Sequence, residues 1–365
     1  MPRLSKNMTK TRKNISQKKS RVLVGISGGV DSSVSALLLK QQGYEVEGIF
    51  AKVWQPDFVE CTWRDEMKDA MRVCAQLDIP FHFLDLEKEY KKFVADSMIS
   101  EYEAGRTPNP DVMCNTHIKF GFIYEYAMTN GFDAVATGHY AQVIDGMLAR
   151  GADASKDQSY FLWNVAKEKF ANMLFPIGHL EKSEVRKIAA KHDLCTAQKK
   201  DSQGLCFIGP IDMKTFLKNL IETTPGNVLN ADGDVIGTHD GAQLYTVGER
   251  HGFTIGPAHK DSHDAALFVI SKDVGKNTIT VASIAPPAKH VVLSNLNLFA
   301  QNVPDTVDVQ FRYRQTPIKA ACESREGTTT LTLSDSCELI AAGQSAVLYV
   351  GPVCIGGGIV DKVVY

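Results

Sequence analysis

The sequence predicts an α/β protein: a Rossmann-like, doubly wound parallel sheet, then a small central domain, then a C-terminal β-barrel. Three observations carry this. Between residues 21 and 140 short apolar runs alternate with helical patterns, the texture of βαβ units. A glycine-rich turn follows the first apolar run directly. From about residue 287 the pattern is almost pure strand, and this stretch is expected to close into a small barrel.

Taken in order, the first 20 residues are expected to form a basic tail, and residues 21–165 the α/β unit. Its strands are expected over 21–26, 45–53, 80–86 and 133–138, with helices near 32–42, 64–77, 87–103 and 116–129. In such sheets ligands bind beyond the carboxyl ends of the strands, so the glycine turn and Thr137-Gly138-His139 should meet there. Residues 166–286 form the central domain. Residues 157–221 read as mostly helical, with 181–192 patterned around Val185, Ile188 and Ala189. Residues 287–365 form the barrel, with strands expected over 291–298, 306–313, 328–333 and 345–350.

Composition narrows the function classes. The chain has 365 residues, 44% of them hydrophobic, enough for a sizeable core in two or three domains. No run approaches ~18 uninterrupted apolar residues, so no membrane partner is expected. The first 21 residues hold eight Lys or Arg and no acid, which leaves 32 basic against 42 acidic side chains beyond them, a formal −10. This balance argues against a generic nucleic-acid binder. Any RNA site must be a local basic surface on an acidic body. The tail itself reads as basic disorder, as an RNA contact or as a targeting peptide. Eight cysteines include no CxxC pair and follow no secretory signal, which argues against a zinc ribbon and against a disulfide framework.

Three segments carry chemistry. Gly25-Ile26-Ser27-Gly28-Gly29-Val30-Asp31-Ser32 follows Val22-Leu23-Val24 and opens a helix bearing Val34, Leu37 and Leu38. No Lys follows the glycines, so the Walker reading fails. What remains is a nest of backbone N–H groups at a helix N-terminus, with hydroxyls from Ser27 and Ser32, suited to phosphate. Asp31 would repel a bare phosphate. It makes sense as a ligand of Mg²⁺ bridging nucleotide phosphates. The loop resembles the SGGxDS loop of the ATP pyrophosphatases, which split ATP between the α- and β-phosphates and transfer AMP to a carbonyl oxygen.

The second segment runs from Gly105 to Asn115. Pro108 and Pro110 stiffen it and hold Asn109, Asp111 and Cys114 in place, with Cys114 expected just ahead of a helix starting near Thr116 and its thiol acidified by that helix N-terminus. Asp111 reads as a general acid or base, or as an N-cap. The third segment, Lys199 to Gly209, surrounds Cys206 with lysines and glycines that favour a thiolate in a movable loop. The remaining cysteines read as core residues.

Together SGGVDS, TPNPDVMCN, ATGHY, KDQSYFL, KDSQGLCFIG, YTVGERHGF and FRYRQ, in that order from residue 21 to the C-terminus, resemble the bacterial and mitochondrial tRNA-specific 2-thiouridylase family. The resemblance implies ATP-dependent 2-thiolation of the wobble uridine. It assigns Gly25, Ile26, Ser27, Gly28, Gly29, Val30, Asp31, Ser32, Ala51 and Gly138 to ATP, with Mg²⁺ at Asp31. It assigns Asn109, Pro110 and Asp111 to the target base, and His139, Lys156, Asp157, Gln158, Arg312, Tyr313 and Gln344 to tRNA. Cys114 matches the nucleophile and Cys206 the persulfide carrier. The implied partners are tRNA and a sulfur-donor protein, either a cysteine desulfurase or a sulfur-relay protein. The implied location is cytoplasmic, or mitochondrial in a eukaryote. Two positions depart from the family pattern: Glu249 where Gln is commoner, which would place an acid near RNA, and Ala51 where Met is usual, which would loosen the adenine pocket. Two alternatives share part of this signature: an ATP-pyrophosphatase ligase of a small metabolite, which needs neither Cys114 nor Cys206, and an inactive tRNA-binding protein.

Overall fold

The structure is a computed structural model and describes residues 20–59, 61–200, 212–260, 266–300, 303–325, 328–337 and 339–365. Its first sheet is parallel throughout, in the order β3-β2-β1-β4-β7: β1 (Arg21–Gly25), β2 (Glu45–Lys52), β3 (Phe81–Asp85), β4 (Ala134–Ala136) and, beyond a hairpin, β7 (Met173–Leu174). β1 is central and buried on both faces, which is why Val22-Leu23-Val24 is a continuous apolar run. The chain order reverses between β1 and β4. That switch point is where a parallel sheet of this kind leaves a crevice.

Helix α1 (Val30–Gln41) starts two residues earlier than expected, with Gly29 as its N-cap. Helix α2 (Trp63–Leu77) packs over β2 and α1. A continuous helix spans 87–103, its middle turn Lys91–Ala95 being π-helical. The next helix departs most from expectation. It begins at Pro110 rather than near 116, and it includes a ten-residue π-helical stretch, Cys114–Ile123, before ending at Thr129. Asn109 is its N-cap, its side chain accepting from the N–H groups of Asp111 and Val112, with Pro110 at the first helical position. Asp111 is therefore not the cap, and Cys114 lies a full turn inside the helix.

The first sheet does not stop at residue 165. β7 extends it, and the helix Lys182–Lys191 packs on α1. Residues 157–221 are less helical than their pattern suggests. Outside Lys182–Lys191 and Met213–Lys218 only short 3₁₀ turns occur among the described residues.

The central domain is a five-stranded sheet, in the order β10-β9-β8-β12-β11, made of β8 (Gly226–Leu229), β9 (Val235–His239), β10 (Phe253–Ile255), β11 (Phe268–Asp273) and β12 (Thr278–Ala282). The barrel comprises β13 (Ala288–Leu298), β14 (Thr306–Gln310), β15 (Ile318–Arg325), β16 (Thr328–Cys337), β17 (Ser345–Val350) and β18 (Val353–Val364), closed by pairing of β13 with β18. β15 and β18 were not apparent as strands in the sequence. β18 carries Gly356-Gly357-Gly358, a poor strand signal, because a Cβ at Gly357 would lie 2.6 Å from the Ala346 carbonyl and 3.0 Å from the Trp163 ring.

A hairpin from the first domain, β5 (Ala141–Ile144) and β6 (Met147–Arg150), attaches to β18. Arg150 secures the junction: it donates to Asp157 at 2.9 Å and to Gln310 at 3.1 Å, and it stacks 3.5 Å from the Tyr349 ring centroid. Domain and barrel thus share a fixed wall, and the crevice at the switch point opens beside it.

Candidate active site

A cleft of about 560 Å³ opens beyond the ends of β1, β2 and β4. Its floor is the glycine loop, where Gly25, Ile26, Ser27, Gly29, Val30, Asp31 and Ser32 all line the space. Gly28 has φ +73°, and a Cβ there would meet the Glu66 carbonyl at 2.6 Å, so only glycine makes this turn. The hydroxyls of Ser27 and Ser32 lie 3.3 Å apart, and the Ser27 N–H donates to Ser32 Oγ. Ser33 Oγ donates to the Gly29 carbonyl at 2.7 Å, tightening the first turn of α1. The helix thereby points its free N–H groups into the cleft, as phosphate requires.

Gly138 closes the other side of the loop. Its ideal Cβ would lie 2.7 Å from Ser32 N and 2.8 Å from Asp31 C. Gly138→Ala must therefore push the phosphate loop away from β4, and it is expected to cost about 1–3 kcal/mol and to weaken ATP binding. Thermal melts with and without ATP read both effects; an unchanged ATP-induced shift would show that the contact does not shape the loop.

The lysine missing from the loop arrives from elsewhere. Lys182, the first residue of the helix Lys182–Lys191, places Nζ 2.7 and 2.8 Å from the two carboxylate oxygens of Asp31, and the Tyr140 hydroxyl donates to Asp31 Oδ1 at 2.9 Å. No sequence signal points to this residue, since 151 positions separate it from its partner. For Mg²⁺, no three metal-ligating side chains cluster among the described residues. Asp31 alone therefore fits the ion only in the mode Mg²⁺ commonly adopts, one carboxylate with phosphates and water completing the octahedron.

The wall opposite the loop is the helix 110–129, which presents Asp111, Asn115 and Lys119 at four-residue spacing. Lys119 Nζ donates to His139 Nε2 at 3.4 Å, leaving the ring proton on Nδ1 for Thr137 Oγ1 at 2.7 Å. Burial, then the neighbouring Lys119, holds the His139 pKa well below its usual value, so the ring is neutral and orients the lysine. Burial also pushes the Glu66 carboxyl up. Ala51 lines the end of β2, and Lys156 and Gln158 line the outer wall. Gln158 is braced by Tyr140, whose N–H donates to its side-chain oxygen at 3.0 Å. The barrel contributes Tyr313 and Arg314. The Tyr313 ring lies 4.6 Å from that of Phe161, an aromatic pair at the cleft margin.

Five cations (Lys119, Lys156, Lys182, Lys200, Arg314) face three carboxylates (Asp31, Glu66, Asp111) in this cleft. A local basic surface on an acidic body is what the charge balance demanded of an RNA site.

Other sequence-assigned residues take structural positions nearby. Asp157 is buried and accepts from Arg150 and from the N–H groups of Gly151 and Ser159. Arg312 donates to the carbonyls of Val247 at 2.8 Å and Leu339 at 2.7 Å, tying the central domain to the barrel. Asn109, Arg312 and Gln344 share a separate cavity of about 510 Å³ with Lys214 and Glu249. Glu249 is not presented to RNA as an isolated acid: it pairs with the half-buried Lys214 at 3.4 Å and accepts from the Thr246 N–H. Cys114 is wholly buried in the main core, on the same helix as Asp111. Cys206 lies outside the described residues, as do residues 1–19 of the tail.

Comparison with known proteins matches the three units separately: a tRNA methyl transferase HUP domain over residues 20–210, a tRNA methyl transferase PRC-barrel domain over 214–283, and an aminomethyltransferase beta-barrel domain over 288–360. Full-length relatives are more specific. The tRNA-specific 2-thiouridylase MnmA of Streptococcus thermophilus is 44% identical over 361 residues, covering 94% of this chain and 96% of the relative. Those of Listeria monocytogenes, at 44%, and Pseudomonas fluorescens, at 43%, cover 94% of this chain and 95% of their own lengths. With identity of this order along nearly the whole chain and one cleft gathering the motifs of the first domain and the barrel, the chain belongs to the tRNA-specific 2-thiouridylase family.

Proposed function

We propose that this cleft activates O2 of the wobble uridine of tRNA with ATP and replaces it with sulfur delivered from Cys206. The observation that carries the reading is the convergence of the phosphate loop, Asp111 and the barrel residues Tyr313 and Arg314 on one basic cleft. A uracil C2 carbonyl is a poor electrophile because its oxygen cannot leave. Once O2 has attacked the α-phosphate and pyrophosphate has gone, that oxygen departs with AMP.

The amide nest of residues 27–32 and Lys182 hold the phosphates and meet the charge that develops on pyrophosphate. Mg²⁺ at Asp31, carried on the phosphates, would supply further neutralisation. Asp111, in the first turn of its helix, moves the proton at uracil N3 or on the incoming sulfur, a role worth ~10² to 10⁴ in rate. The terminal sulfur of a Cys206 persulfide attacks C2 and AMP leaves. The Cys114 thiolate then attacks Cys206 Sγ of the RNA–S–S–Cys206 bridge, releasing thiolated tRNA and leaving a Cys114–Cys206 disulfide. An external thiol must reduce that disulfide before the next round. A cysteine desulfurase or a sulfur-relay protein reloads Cys206.

The test is reconstitution with ATP, Mg²⁺, tRNA, dithiothreitol and a cysteine desulfurase with cysteine. Equal amounts of pyrophosphate and wobble 2-thiouridine are expected. Pyrophosphate release driven by a small amine, with no thiolated tRNA, would establish the ligase alternative.

The tail adds a separate expectation. Deleting residues 1–19 should weaken tRNA binding modestly and flatten the slope of log affinity against log salt, with turnover at saturation unchanged. An unchanged slope would remove the tail from the RNA interface.

A further inference from the structure

Asn115 stands in the cleft wall one turn beyond Asp111 and one turn before Lys119. It is 2% exposed. Its Nδ2 donates to the Phe161 carbonyl at 3.1 Å, which fixes the orientation of the amide, since the flipped form would set oxygen against oxygen. The consequence falls on Oδ1. It is buried and has no hydrogen-bond partner among the described residues. A buried carbonyl left unsatisfied is costly, so a site that keeps one beside a substrate cleft is shaped for a donor that arrives with the substrate.

We propose that Asn115 Oδ1 reads the base: it accepts the N3–H of the target uracil as the base seats between Asp111 and Phe161, before activation. This rests on the cleft's being the uridine site. Uracil carries one donor on its pairing edge, at N3, flanked by two carbonyl oxygens. Cytosine presents a lone pair at N3, which would face Oδ1 and leave both groups unpaired. A neutral acceptor is suited to this recognition because it binds the N–H without removing it, leaving proton transfer to Asp111. The Phe161 tether adds a second effect: the residue whose ring pairs with Tyr313 at the cleft margin is held by the same amide.

The test uses the full-length enzyme, ATP and tRNA transcripts carrying U34 or C34, with kcat/KM for pyrophosphate release as the readout. Wild type should prefer U34. In Asn115→Ala the U34 value should fall about 10- to 100-fold while C34 changes little, the loss expected for one buried hydrogen bond. Asn115→Asp separates recognition from structure. It loses the bond to Phe161 but keeps an acceptor towards the base, so it should retain the preference for U34. Equal loss on both tRNAs in Asn115→Ala, or collapse of the preference in Asn115→Asp as well, would overturn the proposal and make Asn115 a structural tether. No pyrophosphate release by wild type on U34 would instead defeat the underlying functional reading.

Discussion

An Asp31→Ala enzyme is expected to release no pyrophosphate above background while still retaining tRNA. Asp31 lies in the first turn of α1 at the floor of the cleft, and the tRNA contacts assigned to the barrel lie on another domain. Removing its carboxylate takes away the one side chain in the loop that fits Mg²⁺, and it removes the two short contacts that hold Lys182 Nζ over the loop. Lys182→Ala should have a related but smaller effect, lowering pyrophosphate release about 10²- to 10³-fold, the loss seen when one preorganised donor to a developing anion is removed. Lys182→Arg should recover part of it, since the charge survives but the geometry does not. Pyrophosphate release and filter retention of tRNA, assayed side by side on each variant, separate chemistry from binding. Normal pyrophosphate production by Asp31→Ala would remove the loop from the nucleotide site.

The second large effect concerns the cysteines. With Cys206 as sulfur carrier and Cys114 as resolving thiol, turnover should stop after about one round without a thiol reductant. Cys206→Ser should accept no sulfur from a donor. Cys114→Ser should accept it and then stall with tRNA bridged to the enzyme. The burial of Cys114 sharpens this expectation, because a thiol inside the main core must be uncovered, by movement of its own helix, before it can attack a disulfide. The π-helical stretch that begins at Cys114 offers such a place, since π-turns pack and bond less regularly than α-turns. Non-reducing peptide mapping after a single turnover is the measurement. Thiolated tRNA in stoichiometric amount with both thiols still reduced would eliminate the disulfide-resolving step, and full activity in both serine variants would favour a ligase.

Much of this was legible in the chain before folding, and the reason is local sterics. The β1–loop–α1 unit is set by residues within a dozen positions of one another: a continuous apolar strand, a glycine forced to φ +73°, and serines that bond back to the turn. The parallel sheet followed from alternating periodicities, and the meeting of Gly138 with the loop followed from parallel strand order. The helix start at Pro110 was also encoded, as Asn followed by Pro is an N-cap and first-turn pair, but the two prolines were read as an extended loop.

Other features were decided only by tertiary structure. Lys182 reaches Asp31 across 151 residues, and no local pattern records which distant cation will neutralise a loop carboxylate. The hairpin at 141–150 leaves its own domain to join the barrel because β18 offers it an edge. Arg312 spends its hydrogen bonds on the junction of central domain and barrel, and Asp157 holds Arg150, which itself reaches Gln310 of the barrel. Asn115 became informative only when its amide nitrogen found the Phe161 carbonyl and its oxygen found no partner among the described residues. Residue types and spacing determined which chemistry this protein carries, because those are properties of neighbours in the chain. Which charges meet, which thiol is buried and which acceptor waits for a substrate depended on packing between segments far apart in sequence, where burial strips away water and leaves each polar group only the partners the fold supplies.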